Sequence, residues 1–224
     1  IRGKKALIGE IAVSEGDYIT INVPYYGSCQ IWQGQAELIE PDPAESGLFE
    51  LIALVKKHMK SFHVRVNADN PRDAALALQF GADGIGLCRT EHMFFNDKRI
   101  NVFREMILAD DVVSREKALA KLEVMQKDDF YSLFKIMAGK EVTIRLLDAP
   151  LHEFLPHNDA ELTAFFNHMN SGTSKKSSSK SISKAELLAR INTLAEINPM
   201  LGHRGCRIAV SYPEIYQMQV RAIF

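Results

Sequence analysis

From residue 62 onward the hydrophobic period of the chain switches repeatedly between two and 3.6, and this alternation constrains the fold more than any other feature. Residues 62–66 read as a short strand. Asn70 stands where an N-cap would, with Pro71 at the first helical position and Gly81 placed to close the helix. A second strand follows at 84–87, then helical stretches over 97–108 and 114–138, the latter stopped by Gly139. Residues 142–147 form the clearest strand, followed by helices near 159–169 and 183–197. The second of these opens on Ser183 and Glu186, a capping-box pair. A fourth short strand is expected at 207–210, and a helix from Pro213 onward. Strands alternating with helices imply an α/β fold with a parallel sheet. Four such units fit the first half of a (β/α)8 barrel, and equally a small open sheet. An open half-barrel would leave two unpaired strand edges and invite self-association.

Residues before about 41 follow a different rule. Ile19-Thr20-Ile21-Asn22-Val23 alternates apolar and polar side chains, Glu15-Gly16-Asp17 supplies a turn before it, and residues 30–34 suggest a second strand after Gly27. Pro41-Asp42-Pro43 marks a boundary, because proline disfavours helix in the residue before it. Beyond it Leu48, Leu51, Ile52, Val55 and Met59 share one helical face. The expected division is therefore 1–41, the end of a β-rich domain, and 42–224, the α/β part. Within the latter, residues 171–184 hold seven serines and four lysines with Ile182 the one large apolar side chain. Such a segment buries too little surface to offset its ordering entropy and is expected to be a flexible surface insertion.

Composition narrows the function classes. Lys plus Arg number 27 and Asp plus Glu 28 in 224 residues, for a formal net charge of -1. Bulk attraction to nucleic acid is therefore not expected, although a local arginine cluster remains open. Three cysteines, Cys29, Cys88 and Cys206, close no disulfide framework and form no zinc-type pair, so a reduced, cytoplasmic setting is expected. No apolar run is long enough for a membrane span. With Ile1 in place of a start methionine and Phe224 inside a helical pattern, both ends read as cut.

Three constellations could carry chemistry. In Gly84-Ile85-Gly86-Leu87-Cys88-Arg89-Thr90-Glu91-His92-Met93, Arg89 falls at the C-terminal end of a strand, the end that faces the ligand crevice in parallel α/β folds. A guanidinium there offers a planar fork to phosphate or carboxylate; the bland alternative is a rim ion pair with Glu91. In Thr143-Ile144-Arg145-Leu146-Leu147-Asp148, Arg145 sits in an otherwise apolar strand, where it must meet an acid or a ligand. His152 and Glu153, in the proline-bounded loop that follows, are read as locking that loop or serving catalysis. In Asn198-Pro199-Met200-Leu201-Gly202-His203-Arg204-Gly205-Cys206-Arg207, glycines on both sides of His203 and Arg204 permit close backbone approach. One arginine for each of three successive units points to a converging anion site.

These stretches, together with Asn67-Ala68-Asp69 and Pro71, resemble barrel motifs of the pyruvate phosphate dikinases, a branch of the phosphoenolpyruvate-utilising enzymes. Glu15-Gly16-Asp17-Tyr18-Ile19-Thr20 resembles the end of that family's swivelling phosphohistidine domain. The resemblance covers nearly the whole chain apart from the Ser/Lys insertion. The His152-Glu153-Phe154-Leu155-Pro156 loop favours the dikinases over sugar phosphotransferase-system enzyme I and phosphoenolpyruvate synthase, which share shorter versions of the first and third motifs.

The resemblance implies an enzyme that interconverts ATP, pyruvate and phosphate with AMP, phosphoenolpyruvate and diphosphate through a phosphohistidine. By motif position Arg89, Arg145 and Arg204 match the arginines that bind phosphoenolpyruvate. It also implies Mg²⁺, a homodimer, the remaining domains of a longer enzyme as partners, and no nucleic acid or membrane. The departures are equally specific. The phosphohistidine motif and the nucleotide-binding domain have no counterpart here, and the first histidine is His58. The family's Mg²⁺-binding carboxylates and proton-donating cysteine belong to later strands, and neither Cys88 nor Cys206 matches that cysteine. Ala149 stands where a second proline is usual. A central piece of such an enzyme, without turnover on its own, is the resulting expectation.

Overall fold

The computed structural model describes residues 4–24, 26–39, 42–59, 61–171, 183–195 and 201–224. The chain divides into two compact units, Ile1–Leu48 and Phe49–Phe224.

The first unit consists of two antiparallel hairpins. Strand β1 (Lys5–Ile8) pairs with β2 (Ile11–Ser14) across a two-residue turn in which Gly9 takes a φ of 61°. Strand β3 (Ile19–Asn22) pairs with β4 (Gln30–Gln33), Thr20 facing Trp32. Thr20 donates to the Gly34 carbonyl at 2.9 Å and accepts from the Ala36 amide at 2.8 Å, so its hydroxyl closes the open end of the ladder. The expected strands at 19–23 and 30–34 are present; the β1–β2 hairpin is an addition to them. None of the described residues of 4–39 is buried, and two-stranded hairpins are marginal by themselves.

The second unit is α/β with a parallel sheet. Helix α1 (Leu48–His58) precedes β5 (Arg65–Asn67), α2 (Pro71–Gln79) and β6 (Gly84–Arg89). The Asn70 side chain accepts from the Asp73 amide at 2.9 Å, the expected cap. A 3₁₀ turn (Thr90–Phe94), α3 (Asp97–Ile107) and the long α4 (Val112–Ile136) lead to β7 (Glu141–Arg145). A second 3₁₀ turn (Leu151–Phe154), α5 (Asp159–Asn170) and α6 (Lys184–Leu194) follow, the last with the full Ser183–Glu186 capping box. The insertion at 171–184 lies almost wholly outside the described residues.

Among the described residues the parallel sheet has three strands, in the order β5-β6-β7. β6 and β7 approach so closely at Gly84 that a Cβ there would lie 2.5 Å from the Glu141 carbonyl oxygen. The strand expected at 207–210 is instead helix α7 (Cys206–Ser211). Its four-residue apolar pattern fits either period. Gly205, at φ 57° and ψ -130°, turns the chain into a helix, and α8 (Pro213–Ile223) follows almost without a break.

The core lies on the helical side of this unit. Phe94, Phe103, Phe154, Phe165, Leu122 and Met218 centre one buried cluster, while Ile85, Cys88, Phe130 and Leu133 tie the sheet to α4. Helix α8 packs along α4 with Ile215, Met218 and Ala222 buried. Its placement matters because the same helix reaches the ends of β6 and β7.

Candidate anion-binding site

The register of the sheet sets the site. Arg89 ends β6, Arg145 ends β7, and the two are direct partners across the ladder, so both project from the same face at the C-terminal ends of parallel strands. Arg145 pairs with Glu91, and its second nitrogen lies 3.3 Å from Asp148 Oδ2. Arg204 comes from the loop before α7. Its Nε donates to the Asp148 carbonyl at 2.8 Å, and its Nη2 donates to Asp148 Oδ2 at 2.9 Å. The structure thus brings Arg145 and Arg204 onto one carboxylate, with Arg89 beside Arg145. Among the described residues the Arg89 guanidinium meets neither carboxylate nor carbonyl. The alternative pairing of Arg89 with Glu91 is not the one formed, because Glu91 reaches across to β7.

Local electrostatics follow from this arrangement. The hydrogen bond from Arg204 to Asp148 pushes the guanidinium pKa further up, against a smaller opposing effect of burial. Glu91 is 5% exposed, and its Oε2 has no hydrogen-bond partner; nor has the buried Nε of Arg145. The Glu91–Arg145 pair therefore uses one oxygen and leaves a donor and an acceptor unspent. His152 Nδ1, in the turn after β7, is a further buried polar atom without a partner.

Two residues of α3 brace the loops that carry these groups. Arg99 pairs with Asp129 and donates to the Met93 carbonyl at 3.1 Å. Arg104 donates to the Phe154 carbonyl at 2.7 Å and pairs with Glu161 at 3.0 Å. Phe103 stacks on Phe94 at 4.5 Å and meets Phe154 at 4.3 Å, joining the two loops through apolar contact. Sequence reasoning did not single out the Asp69–His92 pair. His92 Nδ1 donates to Asp69 Oδ2 at 2.7 Å, which orients the ring at the ends of β5 and β6 and leaves Nε2 as the other polar atom. The signal lay in two strand-end motifs whose proximity depends on the β5–β6 pairing.

A description of PEP-utilising enzyme, PEP-binding domain, matches residues 43–224. The chain belongs to the phosphoenolpyruvate-utilising enzymes. It is 57% identical over 224 residues to a pyruvate, phosphate dikinase of Treponema pallidum (strain Nichols), covering 100% of this chain and 24% of that protein. It is 49% identical over 223 residues to a pyruvate, phosphate dikinase of Rhizobium meliloti (strain 1021), covering 100% and 23%. It is 46% identical over 220 residues to a pyruvate, phosphate dikinase of Giardia intestinalis, covering 98% and 23%. The chain therefore spans about a quarter of the length of the curated relatives it matches.

Among the described residues no three His, Cys, Asp or Glu side chains converge to hold a metal. No described helix is long and apolar enough to cross a membrane. An apolar cleft of about 350 Å³, lined by Leu51, Val55, Phe62 and Phe80 among others, shares no residue with the arginine cluster. Its two charged lining residues, Lys56 and Asp83, pair with each other at 2.9 Å. It presents no charge to a small anion.

Proposed function

We propose that the Phe49–Phe224 unit supplies the arginine part of a phosphoenolpyruvate site in a pyruvate phosphate dikinase, with Arg89, Arg145 and Arg204 as the ligand-binding cations. The observation that carries this reading is the side-by-side register of Arg89 and Arg145, with Arg204 drawn to the same Asp148. The parent reaction would interconvert ATP, pyruvate and phosphate with AMP, phosphoenolpyruvate and diphosphate, with a phosphohistidine carrying the phosphoryl group. The family match and the dikinase relatives support that assignment.

Chemically, the site binds and orients. Arg89 offers its fork directly. Arg145, held by Glu91 and Asp148, adds fixed positive charge beside it. Phosphate and carboxylate suit planar guanidinium donors, and fixed cations suit phosphoryl charge. Mg²⁺ would supply charge neutralisation at the enolate, from donors beyond those described. A homodimer and the other domains of a longer enzyme are the expected partners. Among the described residues β5 and β7 form the edges of the parallel sheet, which favours a second reading, self-association of an open sheet.

Calorimetric titration with phosphoenolpyruvate tests the assignment. Millimolar binding, worth about 4 kcal/mol, is expected for the wild-type chain. Arg89→Ala should lose it without lowering the melting temperature, since its guanidinium has no described partner. Arg145→Ala should lose both binding and stability, by about 3 kcal/mol for a buried carboxylate left unpaired. Unchanged binding in both variants would overturn the reading. Sedimentation over a concentration series separates the alternative: association that leaves phosphoenolpyruvate unbound would favour the open-sheet module.

A further inference from the structure

We propose that Gln219 and Tyr216, one turn apart on α8, are positioning residues that clamp the Leu147 backbone and so aim the Asp148 carboxylate shared by Arg145 and Arg204. Gln219 is fully buried. Its Oε1 accepts from the Leu147 amide at 2.8 Å, and its Nε2 donates to Thr90 Oγ1 at 2.9 Å. That hydroxyl in turn donates to the Arg145 carbonyl at 3.0 Å. The Tyr216 hydroxyl lies 2.6 Å from the Leu147 carbonyl and 2.8 Å from the Gly205 carbonyl, a single O–H shared between two acceptors.

Both backbone polar groups of Leu147, one from each of the two peptides that flank its Cα, are therefore committed to one helix. The residue before the site carboxylate cannot rotate without breaking a bond to α8. The same two side chains also reach Thr90, which follows Arg89, and Gly205, which follows Arg204. Each of the three arginine-bearing segments thus has a hydrogen bond to α8 within two residues of its arginine. Apolar packing of α8 is already met by Ile215, Met218 and Ala222. A leucine at 219 would serve that packing; the buried amide adds a fixed spacing between a donor and an acceptor. Burial pushes the Tyr216 hydroxyl up to about 12, with the nearby Asp148 charge adding to it, so it stays a neutral donor across the physiological range.

The link to phosphoenolpyruvate rests on the function proposed above; the clamp itself can be read without ligand. The experiment uses the ¹⁵N-labelled 224-residue chain with Tyr216→Phe and Gln219→Leu. Hydrogen exchange at the Leu147 amide and at Arg204 Nε is read by NMR, and phosphoenolpyruvate affinity by calorimetry. Tyr216→Phe removes one oxygen atom and keeps the ring, so it carries the test should Gln219→Leu fail to fold. The expected result is a rise in Arg204 Nε–H exchange and a loss of affinity of about fivefold, the effect of one neutral hydrogen bond, with cooperative melting retained. A lowered melting temperature with unchanged Arg204 Nε–H exchange would assign a merely structural role and overturn the proposal. Exchange that rises in a chain whose wild type binds neither phosphoenolpyruvate nor inorganic phosphate would support the clamp and sink the ligand assignment instead.

Discussion

Gly205→Ala isolates the contact on which the site depends. Gly205 combines φ 57° with ψ -130°, a conformation L side chains rarely adopt, and a Cβ there would lie 2.9 Å from Asp148 Oδ1. The conformational cost alone is about 1–3 kcal/mol. The contact must then be relieved by moving the carboxylate, whose Oδ1 is 3.3 Å from Arg204 Nε and whose Oδ2 is 2.9 Å from Arg204 Nη2. Those groups are partly exposed, so weakening them adds about 1 kcal/mol after solvent screening. The total is about 2–4 kcal/mol, and at 2–4 °C per kcal/mol for a unit of this size the melting temperature should fall by about 4–16 °C. Gly139→Ala is the control. Its φ is 78°, but nothing lies within 4 Å of the added Cβ, so it should cost about 1 kcal/mol and leave the arginines undisturbed. Scanning calorimetry reads the two shifts, and phosphoenolpyruvate titration reads the site. Equal melting shifts in the two variants, or full affinity in Gly205→Ala, would refute the claim that this close approach holds Asp148 in place.

Two further predictions concern titrating groups. Burial pushes the Cys88 thiol up to about 12, with the Asp69 and Glu91 charges adding to it, whereas Cys29 and Cys206 are exposed. Ellman's reagent at pH 8 should therefore label two thiols in the folded chain and the third on unfolding; rapid labelling of all three would contradict the burial of β6. Asp111 caps α4 by accepting from the Ser114 amide at 2.7 Å, which holds its carboxyl below the ordinary 3.8. A carboxyl depressed by folding stabilises above its unfolded value, and that stabilisation is lost as pH falls through the folded one. Asp111→Asn keeps the cap without the titration. It should melt like wild type at pH 7 and lose stability less steeply below pH 3.8; identical pH profiles would show that the cap carries no linkage.

How much of this was legible in the sequence depends on the range of the interaction concerned. Caps act within three residues, and Asn70 with Pro71 and Ser183 with Glu186 were readable for that reason. A strand-end arginine is also a local statement, because β6 and β7 are marked by their own apolar runs. The 207–210 segment failed because four apolar-rich residues suit both periods, and the deciding information lies in the backbone of Gly205. Partner choice failed for a different reason. Whether Glu91 meets Arg89 or Arg145 depends on the β6–β7 register, which is shifted between Ile85 and Cys88, and nothing within either strand encodes that offset. Gln219 and Tyr216 were invisible for the same cause: on a helical pattern they read as polar-face residues, and only packing against strand ends 69 to 129 residues away gives them a role.

The charge count at the site explains why those unseen partners matter. Three guanidiniums at strand ends would repel one another and be costly to desolvate unpaired. Glu91 and Asp148 pair with two of the three guanidiniums, and the Glu153 charge also acts on Arg204. Under the proposed function, attraction for an anion is a property of position, not of composition. Asp148 serves two arginines at once, so any shift in its carboxylate moves both. A site built this way gives up some affinity to its own carboxylates, and in return its cations are already aimed when the ligand arrives. The burden of precision then falls on the backbone around Leu147, Asp148 and Gly205.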